Sequence, residues 1–149
     1  MNTLQIDRKM KHEPGFLGAH PFDMLPRSRR RHFSLIINTA SSRESGDHWL
    51  GLVYVDGVFY FMDSFGRNYN HFTFSVQFRN AIRKYIGNNK CRFNKDMSQN
   101  LTSEYCGFYA IFYVKMLNRN KTLRIISSYF TTNTRLNDKN IVEYVNMLM

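Results

Sequence analysis

The sequence has few cysteines and few prolines. Its two cysteines, Cys91 and Cys106, form no CxxC pair, and its five histidines are not spaced as metal ligands, which argues against a structural zinc site. All three prolines lie within residues 1–32, where periodicity is weak, and these residues are predicted to form a loop-rich arm. No apolar run reaches bilayer-spanning length and residues 1–10 carry charges. We therefore expect no signal peptide and no membrane segment, and a protein that works in a reducing, intracellular setting.

Acidic residues are also scarce, at 11 against 21 lysines and arginines, which gives a formal net charge of +10. This balance favours partners that carry phosphate, and nucleic acid foremost. The run Arg27, Arg29, Arg30 and Arg31 is the clearest candidate for binding DNA, although a solvated loop would have the same composition. A length of 149 residues with 43% hydrophobic content predicts one domain, covering residues 1–149.

The stretch around Cys106 organises the rest of the chain. Residues 108–117 are apolar except for Lys115, which predicts a helix buried on most sides. The polar residues 102–104, Thr-Ser-Glu, are expected to cap it, so that Cys106 stands at its first turn. A thiol there is stabilised as thiolate by unpaired N–H groups and by the helix dipole. Gly107 would leave space beside the sulfur for a substrate backbone. A structural core cysteine remains the alternative.

A β-hairpin is the clearest local signal in the chain. Two strand-like runs, residues 49–55 and 58–62, are separated by Asp56-Gly57, the dipeptide favoured in a two-residue type I′ turn. This turn fixes the register, and because side chains alternate along a strand, His48 and Asp63 are predicted to share a face as diagonal neighbours.

The other elements are predicted from periodicity and from turn residues. They are a buried strand over residues 33–38, a helix over 76–86 ended by Gly87, an edge strand over 91–94, a strand or helix over 123–130, and a last helix capped by Asn137 or Asp138.

Together these residues could supply the parts of a thiol protease, which needs a nucleophile, a base, an orienting carboxylate and donors for the oxyanion. Cys106 would be the nucleophile, His48 the base and Asp63 its orienter, while the Cys106 N–H and the Gln99 side-chain amide would form the oxyanion hole. Taken singly, each residue is more often structural than catalytic. All histidines precede both cysteines, which excludes the papain order of cysteine before histidine.

These motifs resemble the adenovirus-type maturation proteases (adenain), relatives of the SUMO-deconjugating Ulp proteases. The resemblance rests on the stretches Asn38-Thr39-Ala40, Arg43-Glu44 and His48-Trp49, on Phe61 to Gly66, on Gln99 seven positions before Cys106, and on Phe16-Leu17-Gly18 near the start of the chain. It implies a papain-like α+β fold with a mixed central sheet on a buried nucleophile helix. It also implies an endopeptidase that cuts viral precursors at glycine-containing sites. The positions of Trp49 beside His48 and Gly107 beside Cys106 predict a narrow substrate channel.

The same resemblance implies partners and regulation. Viral capsid or core precursors would be the substrates, and the host nucleus and the virion the places of action. No tightly bound cofactor is expected. The net charge of +10 favours activation by viral DNA, and the resemblance implies activation by a viral peptide in disulfide linkage with Cys91. We expect a monomer that does not bind membranes.

The sequence departs from the adenovirus pattern at three places. Asp63 stands where a glutamate is common, the loop between Cys91 and Gln99 is shorter, and the chain after Leu117 is shorter too. These differences favour an origin in an adenovirus-like or Polinton-like animal virus.

Two other functions remain open at this point. A deubiquitinase or SUMO-deconjugating protease would use the same four residues, although the short chain has no visible extended modifier-binding region. A non-enzymatic, basic DNA-binding virion protein would account for the charge alone.

Overall fold

The structure is a computed structural model that describes residues 1–149. Its five strands form one mixed sheet in the order β1-β2-β3-β4-β5. The outer pairs β1–β2 and β4–β5 are parallel, and the two inner pairs are antiparallel. In chain order the elements are α1 (Thr3–Met10), β1 (Phe16–Pro21), β2 (His32–Asn38), β3 (Trp49–Val55), β4 (Val58–Met62), α2 (Val76–Ile86), β5 (Lys90–Phe93), α3 (Cys106–Asn118), α4 (Leu123–Ser127) and α5 (Thr134–Met147).

The predicted hairpin is confirmed with its register. Val55 pairs with Val58 and Tyr54 with Phe59, and the turn between them has positive φ at Asp56 (45°) and Gly57 (89°). Positive φ at both central residues is the geometry of a type I′ turn.

Each face of the sheet carries its own hydrophobic core. On one face, side chains such as Ile36 and Val53 pack with α3 and with residues of α1 and α5. On the other face, Leu35, Leu50 and Phe61 pack against α2. Because both faces are covered, β2 is buried almost throughout, which explains why its sequence is apolar without alternation.

Helix α3 lies across the middle of the first core, and eleven of its thirteen residues are buried. It approaches β3 closely at Gly51, where a Cβ on the glycine would lie 3.4 Å from Cγ2 of Val114. The predicted start at Cys106 is confirmed. None of the helices is both long enough and apolar enough to cross a lipid bilayer.

The prediction of a loop-rich arm over residues 1–32 is wrong for much of that segment. Helix α1 has a complete capping box between Asn2 and Gln5, a signal that lies in the sequence. Strand β1 pairs with β2 at the sheet edge. Glu13 lies between α1 and β1, and its Oε1 is 2.9 Å from Nζ of the buried Lys115 of α3. The segment is therefore part of the packed fold.

The predicted caps of two helices also differ from the structure. The cap residue of α3 is Tyr105, whose side chain makes no capping hydrogen bond, so residues 102–104 do not cap the helix. Helix α5 is capped by Asn133, one turn earlier than predicted, and Asn137 and Asp138 are buried within it. Of the two alternatives for residues 123–130, the helix is correct, as α4.

Candidate active site

A cleft of about 500 Å³ runs along the end of the sheet beside the start of α3. His48 enters it from the residue before β3, and Asp63 lies directly after β4. Cys106 is the first residue of α3, and Gln99 belongs to the loop that leads into that helix. The structure thus brings together the four residues that the sequence suggested, from two strand ends, one helix start and one loop.

His48 and Asp63 form a buried hydrogen-bonded pair. The Nε2 atom of His48 lies 2.6 Å from Oδ1 of Asp63. Nδ1 is therefore the ring nitrogen that remains to exchange a proton with Cys106. The ring of Phe65 stacks on the imidazole with a centroid distance of 4.9 Å. Burial lowers the pKa of His48, but its hydrogen bonds with Asp63 and Cys106 outweigh this and raise the pKa to about 9. The imidazole therefore favours its charged form at neutral pH.

Asp63 has partners on both oxygens. Arg67 donates from Nε to Oδ2 of Asp63 at 2.7 Å, and its guanidinium lies 4.2 Å from the ring centroid of Phe74. The backbone of Asp63 is held by the side chain of Asn94, which accepts from its N–H at 2.9 Å and donates to its carbonyl at 2.6 Å. Burial raises the pKa of Asp63, but the bonds with His48 and Arg67 prevail and the net shift is downward. The carboxylate is therefore fixed and ionised.

Cys106 is buried at the positive end of α3. The first intrahelical bonds run from the N–H groups of Phe108 and Tyr109 to Tyr105, so the N–H of Cys106 lies ahead of them. The Trp49 N–H donates to the sulfur at 3.5 Å. Burial raises the pKa of Cys106, but the hydrogen bond and charge of His48 outweigh it, so the net pKa is lowered. The opposite shifts of Cys106 and His48 favour a thiolate–imidazolium pair.

Gln99 lines the cleft but is already hydrogen-bonded. Its Oε1 accepts from Oγ of Ser64 at 2.5 Å, and its Nε2 donates to the carbonyl and hydroxyl oxygens of Ser103 at 2.9 and 3.0 Å. A role as an oxyanion donor therefore requires one bond with Ser103 to open when substrate binds.

The two residues expected to line a substrate channel flank the sulfur, but the space beside Gly107 is filled. A Cβ on Gly107 would lie 3.1 Å from Cβ of Met1, and the indole N–H of Trp49 donates to the Met1 carbonyl at 2.8 Å. The expectation of open space beside Gly107 is corrected accordingly, since residue 1 forms that wall of the cleft.

The remaining candidates lie away from this cleft. The arginines at positions 27, 29, 30 and 31 are all exposed, and Arg27 lies over the ring of Tyr85 at 4.7 Å from its centroid. Cys91 is a half-buried free thiol on β5, and burial raises its pKa to about 11. The chain contains no cluster of three or more His, Cys, Asp or Glu side chains that could hold a metal ion.

Sequence reasoning missed the residues that support the site. Arg67 could have been noticed as a positively charged residue four positions after Asp63. No local pattern connects Asn94 or Ser64 with their partners. Long-range interactions of this kind come from the tertiary fold.

Comparison with known proteins shows the fold. No protein-family profile matches the sequence, and no curated protein matches it significantly. The structure is similar to that of the ASFV pS273R protease, with a TM-score of 0.57, 15% identity and coverage of 95% of this chain and 66% of that one. The central domain of the uncharacterized Lpg1148 protein from Legionella pneumophila matches with a TM-score of 0.53, 10% identity, and coverage of 100% and 98%. The chain spans about two thirds of the viral protease and shares its α+β fold, which is consistent with the papain-like architecture that the resemblance implies.

Proposed function

We propose that this protein is a cysteine endopeptidase that cleaves viral precursor proteins at glycine-containing sites during virion maturation. The observation that carries the proposal is the position of His48, which is held by Asp63 through Nε2 at 2.6 Å and lines the same cleft as Cys106, the first residue of a buried helix. The fold shared with a viral protease supports it.

The first half of the reaction would follow from the thiolate–imidazolium pair. The Cys106 sulfur attacks the scissile carbonyl carbon, a C–S bond forms, and the carbonyl oxygen becomes an oxyanion. The Cys106 N–H and the Gln99 amide would donate to that oxygen. His48 then gives its Nδ1 proton to the leaving amine as the C–N bond breaks, and a thioester remains.

The second half returns the enzyme to its starting state. Neutral His48 takes a proton from water, the resulting hydroxide attacks the thioester, and the C–S bond breaks to release the acid and the thiolate. Asp63, held by Arg67, stabilises the imidazolium in both halves and fixes the orientation of the ring.

We also propose that the exposed arginines 27, 29, 30 and 31 bind viral DNA, which would hold the enzyme beside its precursors in the host nucleus and the virion. Activation by DNA is part of this proposal, and activation through a peptide disulfide at Cys91 is a separate part. The raised pKa of Cys91, about 11, weighs against rapid disulfide exchange at neutral pH, because the thiolate is the reactive form.

The deciding experiment is incubation with candidate capsid and core precursors, with cut sites read by mass spectrometry. New termini at glycine-containing sites are expected, and they should be absent with Cys106→Ala. Ubiquitin and SUMO vinyl-sulfone probes serve as the contrast, since labelling of Cys106 by these probes without precursor cleavage would favour the modifier-removing alternative.

A further inference from the structure

Helix α5 places two adjacent polar side chains in the interior of the protein. Asn137 is 2% exposed and Asp138 is 7% exposed. Burying an amide and a carboxylate is unfavourable unless both are hydrogen-bonded. They do not cap the helix, because Asn133 has that role. Their hydrogen bonds therefore show which part of the molecule they hold.

Both side chains bind backbone groups of the loop that carries Gln99, one on each side of that residue. Asn137 donates from Nδ2 to the Ser98 carbonyl at 3.0 Å. Asp138 accepts through Oδ1 from the Asn100 N–H at 3.4 Å. Asn137 is in turn fixed by Thr131, whose N–H donates to its Oδ1 at 2.9 Å. The backbone on either side of Gln99 is thus attached to one helix.

The same carboxylate also reaches the nucleophile helix. Tyr109, in the first turn of α3, donates its hydroxyl to Oδ1 of Asp138 at 2.7 Å. Burial and the neighbouring Asp138 raise the pKa of Tyr109, so the hydroxyl keeps its proton and remains a donor. Asp138 therefore connects α3, three residues after Cys106, with the loop of Gln99.

We propose that Asp138 is a positioning residue that sets the placement of Gln99 relative to Cys106. Tyr109 is its hydrogen-bond partner on α3, and Asn137 holds the same loop separately through Ser98. The inference rests on the proposed function, in which Gln99 donates to the oxyanion. Such a donor stabilises the transition state only when it lies within hydrogen-bond distance of the developing charge, and Gln99 lies on a loop with no regular secondary structure of its own.

The test separates oxyanion stabilisation from thiolate reactivity. A peptide aldehyde ending in glycinal adds the Cys106 sulfur to its carbonyl and forms a hemithioacetal whose oxygen occupies the oxyanion hole. Iodoacetamide alkylates the same sulfur by displacement of iodide and creates no such oxygen. Asp138→Ala should weaken aldehyde binding roughly ten-fold, a part of the loss expected on removing the donor itself, while the alkylation rate of Cys106 stays unchanged.

Matched variants give the controls. Asp138→Asn keeps an oxygen acceptor for Tyr109 and Asn100 and should restore most of the aldehyde affinity. Glu143→Gln makes the same carboxylate-to-amide change at an exposed position of α5 and should leave both readouts unchanged. Tyr109→Phe removes the donor while Asp138 stays, and it supplies the test if Asp138→Ala does not fold.

The decisive comparison uses a Gln99→Ala background. If Asp138 acts through Gln99, Asp138→Ala should cause little further loss of aldehyde affinity there. An undiminished ten-fold loss in that background, or equal losses of alkylation rate and aldehyde affinity, would overturn the positioning role. A wild-type protein that neither binds the aldehyde nor is alkylated at Cys106 would overturn the proposed function itself, and this inference with it.

Discussion

Arg67 and His48 hold opposite oxygens of one carboxylate. His48 lies 2.6 Å from Oδ1 of Asp63, and Arg67 donates to Oδ2 at 2.7 Å. The side chain of Arg67 is 21% exposed and that of Asp63 is fully buried. Arg67 is therefore the partly solvent-exposed partner of a buried carboxylate. Asp63 cannot rotate away from His48 without breaking the bond to Arg67.

Loss of Arg67 should therefore affect both stability and turnover. Arg67→Met should destabilise the protein by roughly 2 kcal/mol, within the usual range for a hydrogen bond to a charged group. It should also lower kcat about ten-fold or more, because His48, the proposed base, would be held less firmly. Arg83→Met, at an exposed position of α2, is the control. Thermal unfolding and steady-state kinetics measure the two effects, and identical melting temperatures for the two variants would contradict this role.

The pH profile should be bell-shaped. Cys106 has a lowered pKa and His48 a pKa raised to about 9, so the reactive pair forms as Cys106 loses its proton and is lost as His48 loses its own near pH 9. In Asp63→Asn the imidazolium of His48 loses the carboxylate that raises its pKa, while burial still lowers that pKa. The alkaline limb should therefore move to lower pH. The pH dependence of kcat/KM measures this, because protonation of the leaving amine needs the imidazolium. An unmoved limb in Asp63→Asn would argue against the assignment to His48.

Alkylation should distinguish the two cysteines. A thiol of pKa about 11 is roughly 10⁻⁴ ionised at pH 7, whereas His48 lowers the pKa of Cys106. Iodoacetamide should therefore modify Cys106 more than about ten-fold faster than Cys91, even though a more basic thiolate is the better nucleophile. Peptide mapping of the wild type, with His48→Ala for comparison, measures this. Faster modification of Cys91, or no slowing in His48→Ala, would count against an activated thiolate.

Gln99→Ala should lower kcat by about 10² to 10³ with little change in KM, since an oxyanion donor acts in the transition state. Ser103→Ala removes one of the two acceptors that hold the Gln99 amide, so it should preserve or increase kcat. Gln77→Ala, exposed on α2, controls for the loss of an amide. A Gln99→Ala effect confined to KM would exclude the oxyanion role.

DNA affinity should fall steeply as salt rises. Replacing residues 29, 30 and 31 by glutamine should lower the slope of log K against log salt by about 0.9 for each phosphate that the protein no longer neutralises. Lys121, Arg135 and Lys139 are exposed elsewhere, and their replacement by glutamine removes the same charge. Titration of a short duplex at several salt concentrations measures the slope. Equal slopes for the two triple variants would mean that DNA binds at another surface, or that affinity depends only on the net charge of the protein.

Local signals are sufficient to predict the hairpin and the helix α2. Each depends on residues close in sequence, such as Asp56-Gly57 at a turn or Gly87 after a helix, where backbone preference and hydrophobic period agree. The register of the hairpin is enough to bring His48 toward Asp63. The resemblance then connects this pair with Gln99 and Cys106. In the structure His48, Gln99 and Cys106 line one cleft, and Asp63 is buried behind His48.

Other features depend on interactions between residues far apart in sequence. Asn137 and Asp138 suit a helix cap by residue type, but their partners Ser98 and Tyr109 lie 39 and 29 positions away. The strand β1 escapes prediction because it pairs in parallel with β2, so no short hairpin turn links the two strands or reveals their pairing. The pair of Asp63 and Arg67 is local in sequence, but its spacing of four is common on exposed surfaces and therefore does not by itself mark a site.

Because α3 packs closely on β3 at Gly51, the distance between the proposed base His48 and the proposed nucleophile Cys106 depends on how the helix is packed on the sheet. His48 lies at the end of a strand and Cys106 at the start of the helix. The packing between sheet and helix, with the bond from the Trp49 N–H to the Cys106 sulfur, holds the two together. The site should consequently fail before the secondary structure does. On heating or in mild denaturant, catalytic competence should disappear while far-ultraviolet circular dichroism is still native, and thiol reactivity would report the separation of the two layers earlier than any spectroscopic probe of the backbone.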